Sequence, residues 1–553
     1  MFRYYSMIIV TLYGTLFAFQ CFGSISGALL ASRFSSSLND FYKSAQYTSY
    51  MIEKGNKQPD IYNDALLYSV AAGEFDQAFS LAGEMEKSGL KSPALALTLI
   101  SEKLKKKQFE AAIQLISKYE ANLPEVLKVS MRGWIHIQQE NFNAAVREFT
   151  NFQNLKLNFD LGSYYTSVAY AQLGKYFMSA EVIRKNLQNF EVLGKNYEIF
   201  GVNVLSLVDD NINTELLLSR SIRKNPKNLT LKQLHRKIKT RKDSYLELFK
   251  APNSGIADTL LLFAEGGGRE FNENLIETFY CQLANYITDT GARFNIRLAQ
   301  ALADSGLVDK AIDTLRFVEE SDLFYAESKL MLAELLIETS QENLAIKVLK
   351  DLIENGVMNF EVYEALGNVY RHAENYELAS LAYTEALTAH KSADFENNNL
   401  WMIYFFRGIT REQLRDYEKS MEDLGIALEF VPEHPQVLNY LGYMLIERKE
   451  NLDEALGMIE LAVEKSPESG YIVDSLAWGL YQLGRYGEAI IPMEKAISLE
   501  PEDPIVNDHF GDILWKVGRK REAEFQWKRA LLFNPDKELR LRIQDKLELG
   551  LKD

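Results

Sequence analysis

The sequence predicts an all-α protein, an α-solenoid of stacked antiparallel helix pairs that ends in a C-terminal capping helix. Pro467, Pro501 and Pro535 stand 34 residues apart. Between them, glycine or alanine recurs at fixed offsets, and large apolar residues fill the positions in between. A fixed period of this length, with small residues at set positions, is typical of repeated helix–turn–helix units that stack on their neighbours.

The recurring small residues have a steric explanation. One set is placed on the first helix of each unit and two sets on the second helix: Gly442, Ala477 and Gly511; Ala455, Ala489 and Ala523; Ala462, Ala496 and Ala530. A larger side chain at these crossings would force two packed helices apart. Proline cannot continue a helix, so the three prolines mark the ends of units.

Three motifs carry a closer resemblance. Residues 439–445 read Asn-Tyr-Leu-Gly-Tyr-Met-Leu, residues 471–478 read Tyr-Ile-Val-Asp-Ser-Leu-Ala-Trp, and residues 507–515 read Asn-Asp-His-Phe-Gly-Asp-Ile-Leu-Trp. With the period, they resemble tetratricopeptide repeats (TPRs), in particular the C-terminal part of exported TPR proteins of proteobacteria, especially the alpha class. The close resemblance covers about residues 366–534, and the N-terminal half matches only as degenerate repeats. It implies a cell-envelope protein with a signal sequence and no assigned catalytic activity.

Residues 1–26 differ from the rest of the chain. Arg3 is their only charge, an uncharged and mostly apolar run extends from Met7 to Phe22, and small residues follow from Gly23. This layout is typical of a secretory signal peptide, with cleavage expected after Gly23 or Ser26. The run also approaches the length that spans a bilayer, so the alternative is an uncleaved membrane anchor.

Four further segments follow. Residues 27–190 predict a degenerate array, marked by an aromatic three residues before an alanine, as in Phe75 and Ala78. Residues 191–291 predict an irregular helical connector that contains a basic segment, 220–250. Residues 292–535 predict the regular array, and 536–553 the capping helix. The basic segment is either a solvated helix face with a linker, or a contact for an anionic membrane surface or an acidic partner.

The composition disfavours nucleic-acid binding, metal binding and catalysis. The net charge is −16 and the pI is about 5.1, which disfavours nucleic-acid binding. The two cysteines, Cys21 and Cys281, cannot build a disulfide framework or a cysteine-based metal site. The six histidines are scattered without paired spacing, and no nucleophile–base or carboxylate pair recurs. The sequence therefore predicts no enzyme activity, no cofactor and no small-molecule substrate.

The resemblance implies a binding groove lined by the first helices of the repeats. Its groove positions fall on Tyr443, Tyr471, Asp474, Trp478, Tyr481, Asp508, Asp512 and Trp515, with Asn439, Ile446, Ile505, Met402, Phe405 and Ile409 beside them. Such a groove is aromatic with an acidic edge and suits a peptide or helical segment with apolar anchors. The alternative is that some of these aromatics only pack between repeats. Domains that clamp the C-terminal carboxylate of chaperones use Lys, Arg and Asn here, so Asp474 and Asp508 disfavour that mode.

These observations predict a non-catalytic protein–protein interaction scaffold or adaptor of the bacterial cell envelope, periplasmic or envelope-associated. It would bind partner segments in the groove, with a second, peripheral membrane contact possible through 220–250. The alternative is a regulatory or assembly subunit of an envelope enzyme, or of a polysaccharide-export or glycosyltransferase complex.

Overall fold

The computed structural model describes residues 24–152, 161–187, 195–225, 228–239, 253–266, 273–288, 291–391 and 400–551. Over these ranges the chain forms thirty α-helices, one 3₁₀ turn at Glu120–Asn122 and no strand. Residues 1–23, which hold nearly all of the predicted signal or anchor segment, lie outside them, as do residues 240–250 of the basic segment. Among the described helices, none combines the length and the apolar character needed to cross a bilayer.

The chain divides into two compact units, Met1–Ala365 and Leu366–Asp553. The helices that begin in the first unit are α1 (Ile25–Ser37), α2 (Phe41–Glu53), α3 (Pro59–Ala71), α4 (Phe75–Lys87), α5 (Pro93–Lys105), α6 (Phe109–Lys118), α7 (Glu125–Gln138), α8 (Phe142–Thr150), α9 (Leu161–Gln172), α10 (Tyr176–Lys185), α11 (Lys195–Leu207), α12 (Asn211–Lys224), α13 (Leu229–Lys239), α14 (Ser254–Gly266), α15 (Glu273–Ile287), α16 (Ala292–Asp304), α17 (Val308–Arg316), α18 (Tyr325–Glu338), α19 (Glu342–Glu354) and α20 (Phe360–His372).

The second unit continues the same pattern. Its helices are α21 (Tyr376–Lys391), α22 (Leu400–Gln413), α23 (Tyr417–Phe430), α24 (Pro435–Glu447), α25 (Leu452–Lys465), α26 (Gly470–Gln482), α27 (Tyr486–Leu499), α28 (Pro504–Lys516), α29 (Lys520–Leu532) and α30 (Lys537–Leu549). Within each unit, helices that follow one another pack together, as α7 does on α8 in the first unit and α28 on α29 in the second. Neighbouring pairs also pack together, as α25 does on α26 and α27 on α28. The predicted fold class, an all-α array of stacked antiparallel helix pairs, is confirmed.

The turns within pairs share one backbone feature. The second residue after many of the first helices has a positive φ. It is glycine at Gly73 (80°), Gly174 (72°), Gly484 (73°) and Gly518 (85°), and another residue at turns such as Lys107 (55°) and Glu140 (58°). Glycine adopts this conformation without the steric cost of a Cβ atom, so the chain can reverse within three residues. At the other end, Pro435 and Pro504 occupy the first turn of a first helix, where no backbone N–H is needed.

The crossing within each pair is as tight as the small residues indicated. A Cβ atom on Gly442 would lie 2.8 Å from the Ala455 carbonyl oxygen, and one on Gly511 would lie 2.3 Å from the Trp527 indole nitrogen. Trp527 itself is fully buried. The glycines of the first helices are therefore required by the approach of the second helices.

Candidate functional site

The C-terminal wall is the side of the second unit built by its first helices α22, α24, α26 and α28. At its centre, the Trp478 ring stacks on Tyr481 (centroids 4.7 Å apart, planes at 11°) and on His509 (4.0 Å, 14°). The indole N–H donates a hydrogen bond to an exposed carboxylate, Glu447 Oε1, at 2.6 Å. Three successive repeats therefore meet around Trp478, which is only half-buried.

His509 is the link between this aromatic stack and the acidic residues. Its Nδ1 lies 3.0 Å from both carboxylate oxygens of Asp474, and both side chains are buried. Burial alone would lower the pKa of His509, but the charge and hydrogen bond of Asp474, with the charges of Asp508 and Asp512, raise it. The structure therefore favours a protonated His509 paired with Asp474.

The other two acidic residues hold the C-terminal helix α30. Lys546 Nζ donates to Asp508 (2.8 and 2.9 Å) and to Asp512 (2.7 Å), and Arg542 adds a bond to Asp508 at 2.9 Å. Burial raises the pKa of the Asp512 carboxyl despite the charge of Lys546, and the charge of Asp508 adds to the rise. A ligand could reach these carboxylates only by displacing α30.

Tyr471 and Ile505 are the most open of the predicted groove residues. They occupy the second position of α26 and α28, with 51% and 46% of their surface exposed. Tyr443, Tyr481 and Trp515 are half-buried, and Trp515 also packs on Trp527 with centroids 5.3 Å apart. Burial, with the charges of Glu447 and Asp474, raises the pKa of Tyr443, so its phenol keeps the proton. An aromatic and apolar surface remains open beside the paired acids.

The remaining predicted groove positions divide into two groups. Phe405, Asn439 and Ile446 are buried, and Ile446 is in contact with the core of the second unit. Met402 and Ile409 are half-buried on α22. The structure thus places part of the predicted set inside the protein and part on the wall, and partner binding by any of them stays a prediction.

Sequence reasoning missed three polar residues on or beside this wall: Glu447, His509 and Lys546. The signal for His509 and Lys546 lies in the offsets between paired charges. Asp508 pairs with Arg542 and Asp512 pairs with Lys546, and both pairs are 34 residues apart in sequence. Asp474 and His509 are 35 residues apart. A search for opposite charges one repeat apart would have found His509 and Lys546, whereas Glu447 has the uncharged Trp478 as its partner and leaves no such signal.

The N-terminal wall, built by the first helices α3, α5, α7 and α9, is covered by the chain itself. Helix α14 packs on α7, and α15 packs on α3 and α5. The Thr259 hydroxyl of α14 is hydrogen-bonded to both Tyr165 and Ser130, and all three side chains are buried. At the start of α14, the Trp134 ring lies so close to Gly255 that a Cβ atom there would sit 1.8 Å from it.

Further contacts fix α14 and α15 in this position. Asn253 donates to the Ile287 carbonyl at 3.0 Å and accepts from Gln138 at 2.8 Å. Next to Ile287, at the end of α15, the ring of Tyr286 stacks on Phe75 of α4 with centroids 4.2 Å apart. These polar and aromatic contacts leave the N-terminal wall occupied by an internal segment.

Only part of the basic segment falls within the described residues. Lys232 of α13 is mostly buried and forms an ion pair with the buried Glu361. Arg223 and Lys224, at the end of α12, are exposed. Lys232 therefore supports the structure of the first unit, and the membrane or acidic-partner contact predicted for 220–250 stays a prediction.

Across the described ranges, no cluster of three or more His, Cys, Asp or Glu side chains is arranged to hold a metal ion. Cys281, on α15, is buried and is not part of a disulfide.

Comparisons with known proteins add the following. No protein-family model matches the sequence. A stretch of 87 residues is 29% identical to a TPR repeat-containing protein of Pseudomonas aeruginosa, and covers 16% of this chain and 15% of that protein. A crystal structure of a tetratricopeptide repeat protein from Parabacteroides merdae is 17% identical over 47% of this chain and 98% of its own, with a TM-score of 0.39. The APC/C hetero-tetramer Cut9–Hcn1 is 15% identical over 97% of this chain and 99% of its own, also with a TM-score of 0.39.

The molecule's own geometry identifies the repeat. Its helix pairs recur about every 34 residues over Pro435–Lys516. The first helices begin at Pro435, Gly470 and Pro504, so the spacing deviates from 34 by no more than one residue. The small residues lie at the crossing within a pair, the turn is left-handed, and successive pairs stack. These are the features of the tetratricopeptide repeat, and the helix pairs of Pro435–Lys516 form an array of such repeats.

Proposed function

We propose that this protein is a non-catalytic scaffold or adaptor that binds a segment of a partner protein along the C-terminal wall. One observation carries the proposal. The N-terminal wall is covered by α14 and α15, whereas the C-terminal wall leaves Tyr471 and Ile505 exposed beside half-exposed aromatics. Exposed aromatic and apolar side chains on a rigid helical framework are the usual anchors of protein recognition.

The chemistry of the wall limits the ligand. Asp474, Asp508 and Asp512 are buried and already paired with cations of this chain. A basic ligand residue would have to break those pairs, at a cost of several kcal/mol for each buried charge left alone. We therefore propose a peptide or helix that binds through apolar or aromatic anchors, with Glu447 at the margin as an acceptor for one donor group.

We also propose that the protein is located in the cell envelope. The support is the layout of residues 1–26, which is that of a signal peptide. Export follows whether this segment is removed or is retained as a membrane anchor. Ser24 is the N-cap of α1, since its hydroxyl accepts a hydrogen bond from the Gly27 backbone N–H at 3.0 Å. Cleavage after Gly23 would keep this cap, and cleavage after Ser26 would remove it. N-terminal sequencing of the mature chain distinguishes the two sites from retention.

The test is affinity capture from cell-envelope extract, with three forms of the full chain. The parent is compared with Tyr471→Ala/Ile505→Ala on the wall. The matched control is Ile491→Ala/Phe525→Ala, two exposed apolar residues on the second helices α27 and α29 of the same repeats. Circular dichroism first shows that all three forms have the same helix content.

A partner that the parent and the control hold and the wall variant loses supports the proposal. The binding segment of that partner is then titrated as a synthetic peptide, and the wall variant should bind it at least about tenfold more weakly. A partner held equally by all three forms would overturn wall binding and direct attention to 220–250. Failure to capture any protein would favour the alternative of a subunit that works only inside a larger complex.

A further inference from the structure

The first described helix carries an apolar stripe that no other described part of the chain covers. Ile25, Leu30, Phe34 and Leu38 are between 40% and 69% exposed. Leu30, Phe34 and Leu38 follow one another at intervals of four residues, so they lie on one face. Leu30 and Phe34 are within α1, and Leu38 is its C-cap. The stripe is therefore continuous along about two turns of helix.

The opposite face of α1 attaches it to the array. Its buried residues are small: Gly27, Ala28, Ser32, Ser35 and Ser36. The Ser44 hydroxyl of α2 donates to the Ser32 carbonyl at 3.1 Å, and the Ser32 hydroxyl donates back to the Ser44 carbonyl at 3.3 Å. Leu29 is the large apolar residue of α1 that packs against the core. With the serine-rich face, it makes the packing contacts of the helix, and Leu30 and Phe34 remain exposed.

The stripe is not a polar cap of the kind that closes a repeat array. The C-terminal helix α30 has seven charged residues among thirteen, as expected for a helix whose outer face meets water. Helix α1, of the same length, has only Arg33. An exposed apolar stripe with so little charge marks a contact surface.

The sequence indicates what the contact is. The uncharged run Met7–Phe22 ends three residues before α1 begins, and Arg3 is the only charge ahead of it. A run of this kind partitions into a bilayer, and a helix that follows it directly is held at the bilayer surface. An apolar face on such a helix lies in the plane of the interface.

We propose that α1 rests on a lipid bilayer, with Leu30, Phe34 and Leu38 in contact with the acyl-chain boundary. This goes beyond partner binding at the C-terminal wall and favours retention of residues 1–22 as a tether. A second copy of the chain fits the stripe less well. Stable protein interfaces bury roughly 800 Å² on each partner, and four partly exposed side chains supply only a fraction of that area.

The test measures the depth of α1 in lipid, with the full chain reconstituted in phosphatidylcholine vesicles. Phe34→Cys, in a Cys21→Ser background, is labelled with an environment-sensitive fluorophore, and Cys281 is buried and stays unlabelled in the folded protein. The vesicles carry lipids brominated on their acyl chains, which quench only fluorophores in contact with the apolar layer. Ile212→Cys is the matched control, because Ile212 is an apolar residue of α12 with 82% exposure.

If the proposal is right, the label at position 34 loses emission in the brominated vesicles, and the label at position 212 keeps its emission. Leu30→Cys provides a second label should Phe34→Cys lower the helix content. Equal emission at the two positions, with the protein bound to vesicles, would overturn the proposal. A pyrene label at position 34 tests the other occupant, because two pyrenes in contact emit as an excimer. Excimer emission without lipid quenching would also overturn the proposal, and would show that a second copy covers the stripe. Binding of a partner peptide at the C-terminal wall is measured separately, so failure of one proposal leaves the other testable.

Discussion

At the scale of single residues, Gly511 lies where α28 and α29 cross closely. A Cβ atom there would lie 2.3 Å from the Trp527 indole nitrogen, which donates to Asp512 at 2.9 Å. Gly511→Ala should therefore displace the indole and weaken this buried hydrogen bond. We expect a loss of about 1–3 kcal/mol of stability, measured as a lower denaturation midpoint by tryptophan fluorescence.

Gly457→Ala is the control for this substitution. Gly457 lies on α25, and a Cβ atom there would meet nothing within 4 Å. Alanine is a better helix former than glycine, so this variant should be more stable by about 0.5–1 kcal/mol. If the two alanine variants shifted the midpoint in the same direction, the close approach of α28 and α29 at Gly511 would be contradicted.

His509 predicts a specific dependence of stability on pH. Burial lowers its pKa, but Asp474 and the neighbouring carboxylates raise it by more. The folded protein therefore binds the proton of His509 more tightly than the unfolded chain does. A pKa raised on folding contributes stability below the unfolded value, about 6.5, and that contribution is lost as the pH rises through the folded value. His509→Gln should thus cost most in mildly acidic solution and least in alkaline solution.

The measurement is chemical denaturation of the parent and of His509→Gln at a series of pH values. The difference between them at each pH removes the contributions of titratable groups that do not interact with His509. His372→Gln, at an exposed position of α20, is the control, and as a surface substitution it should change stability by no more than about 0.5 kcal/mol. A difference for His509→Gln that grew with rising pH would have the wrong sign for a protonated histidine.

The sequence predicts the small residues at the helix crossings but not the cations that pair with Asp508 and Asp512, for a physical reason. Gly442 and Gly511 recur with the period because steric exclusion acts within one repeat, where the period can be read directly. Asp508 and Asp512 were interpreted as groove residues because their cations lie on α30, beyond the last full repeat. The periodic pattern describes packing inside the array and not how its end is closed.

At the scale of helices, α30 closes the second unit through one buried lysine. Lys546 bridges Asp508 and Asp512, and all three side chains are buried. Lys546→Met keeps the apolar stem and leaves Asp512 without its cation. We expect a loss on the order of 3 kcal/mol, the lower end of the range for a broken buried pair, because Arg542 still holds Asp508.

Hydrogen exchange of α28, α29 and α30 measures this effect directly, with faster exchange expected in the variant. Lys537→Met is the matched control, since Lys537 is exposed at the start of the same helix. Surface changes of this kind usually stay within about 0.5 kcal/mol. Equal exchange in the two variants would mean that the buried bridge contributes little to closing the array.

The contact between α14 and the N-terminal wall makes a second prediction at this scale. Gly255→Ala would place a Cβ atom 1.8 Å from the Trp134 ring, so α14 must move away from α7 or the ring must turn. We expect faster hydrogen exchange in 254–266 and in α7. Gly83→Ala, on α4, has no atom within 4 Å of the added carbon and should leave both helices protected.

The covering of the N-terminal wall illustrates a limit of sequence reasoning. Period and small residues report contacts between neighbouring repeats. The contact of α15 with α3 joins residues far apart in sequence, as in the bond from Gln282 to the Ala71 carbonyl, 211 positions away. No local pattern encodes such a contact. The helix pairs of the second unit were accordingly predictable, whereas the segment that covers the first wall was not.

At the scale of the whole molecule, the two proposed contacts belong to different units. The lipid stripe is on α1 in Met1–Ala365, and the C-terminal wall is in Leu366–Asp553. In a repeat array, the contacts that stabilise the fold are mainly those between neighbouring pairs. Substitutions that share no contacts usually have additive effects. The protein would then act as a tether that holds a partner near a membrane without one contact controlling the other.

Independence of the two contacts is therefore the last prediction. Leu30→Ser/Phe34→Ser should abolish lipid quenching at a label on position 38. It should change the affinity of the C-terminal wall for its partner peptide by less than about twofold, because substitutions that share no partner residues add within about 0.5 kcal/mol. Tyr471→Ala/Ile505→Ala should weaken the peptide and leave the quenching unchanged. The double-mutant cycle that combines both pairs measures the coupling free energy. A coupling above about 1 kcal/mol would contradict two separate contacts and would mean that lipid binding regulates the wall.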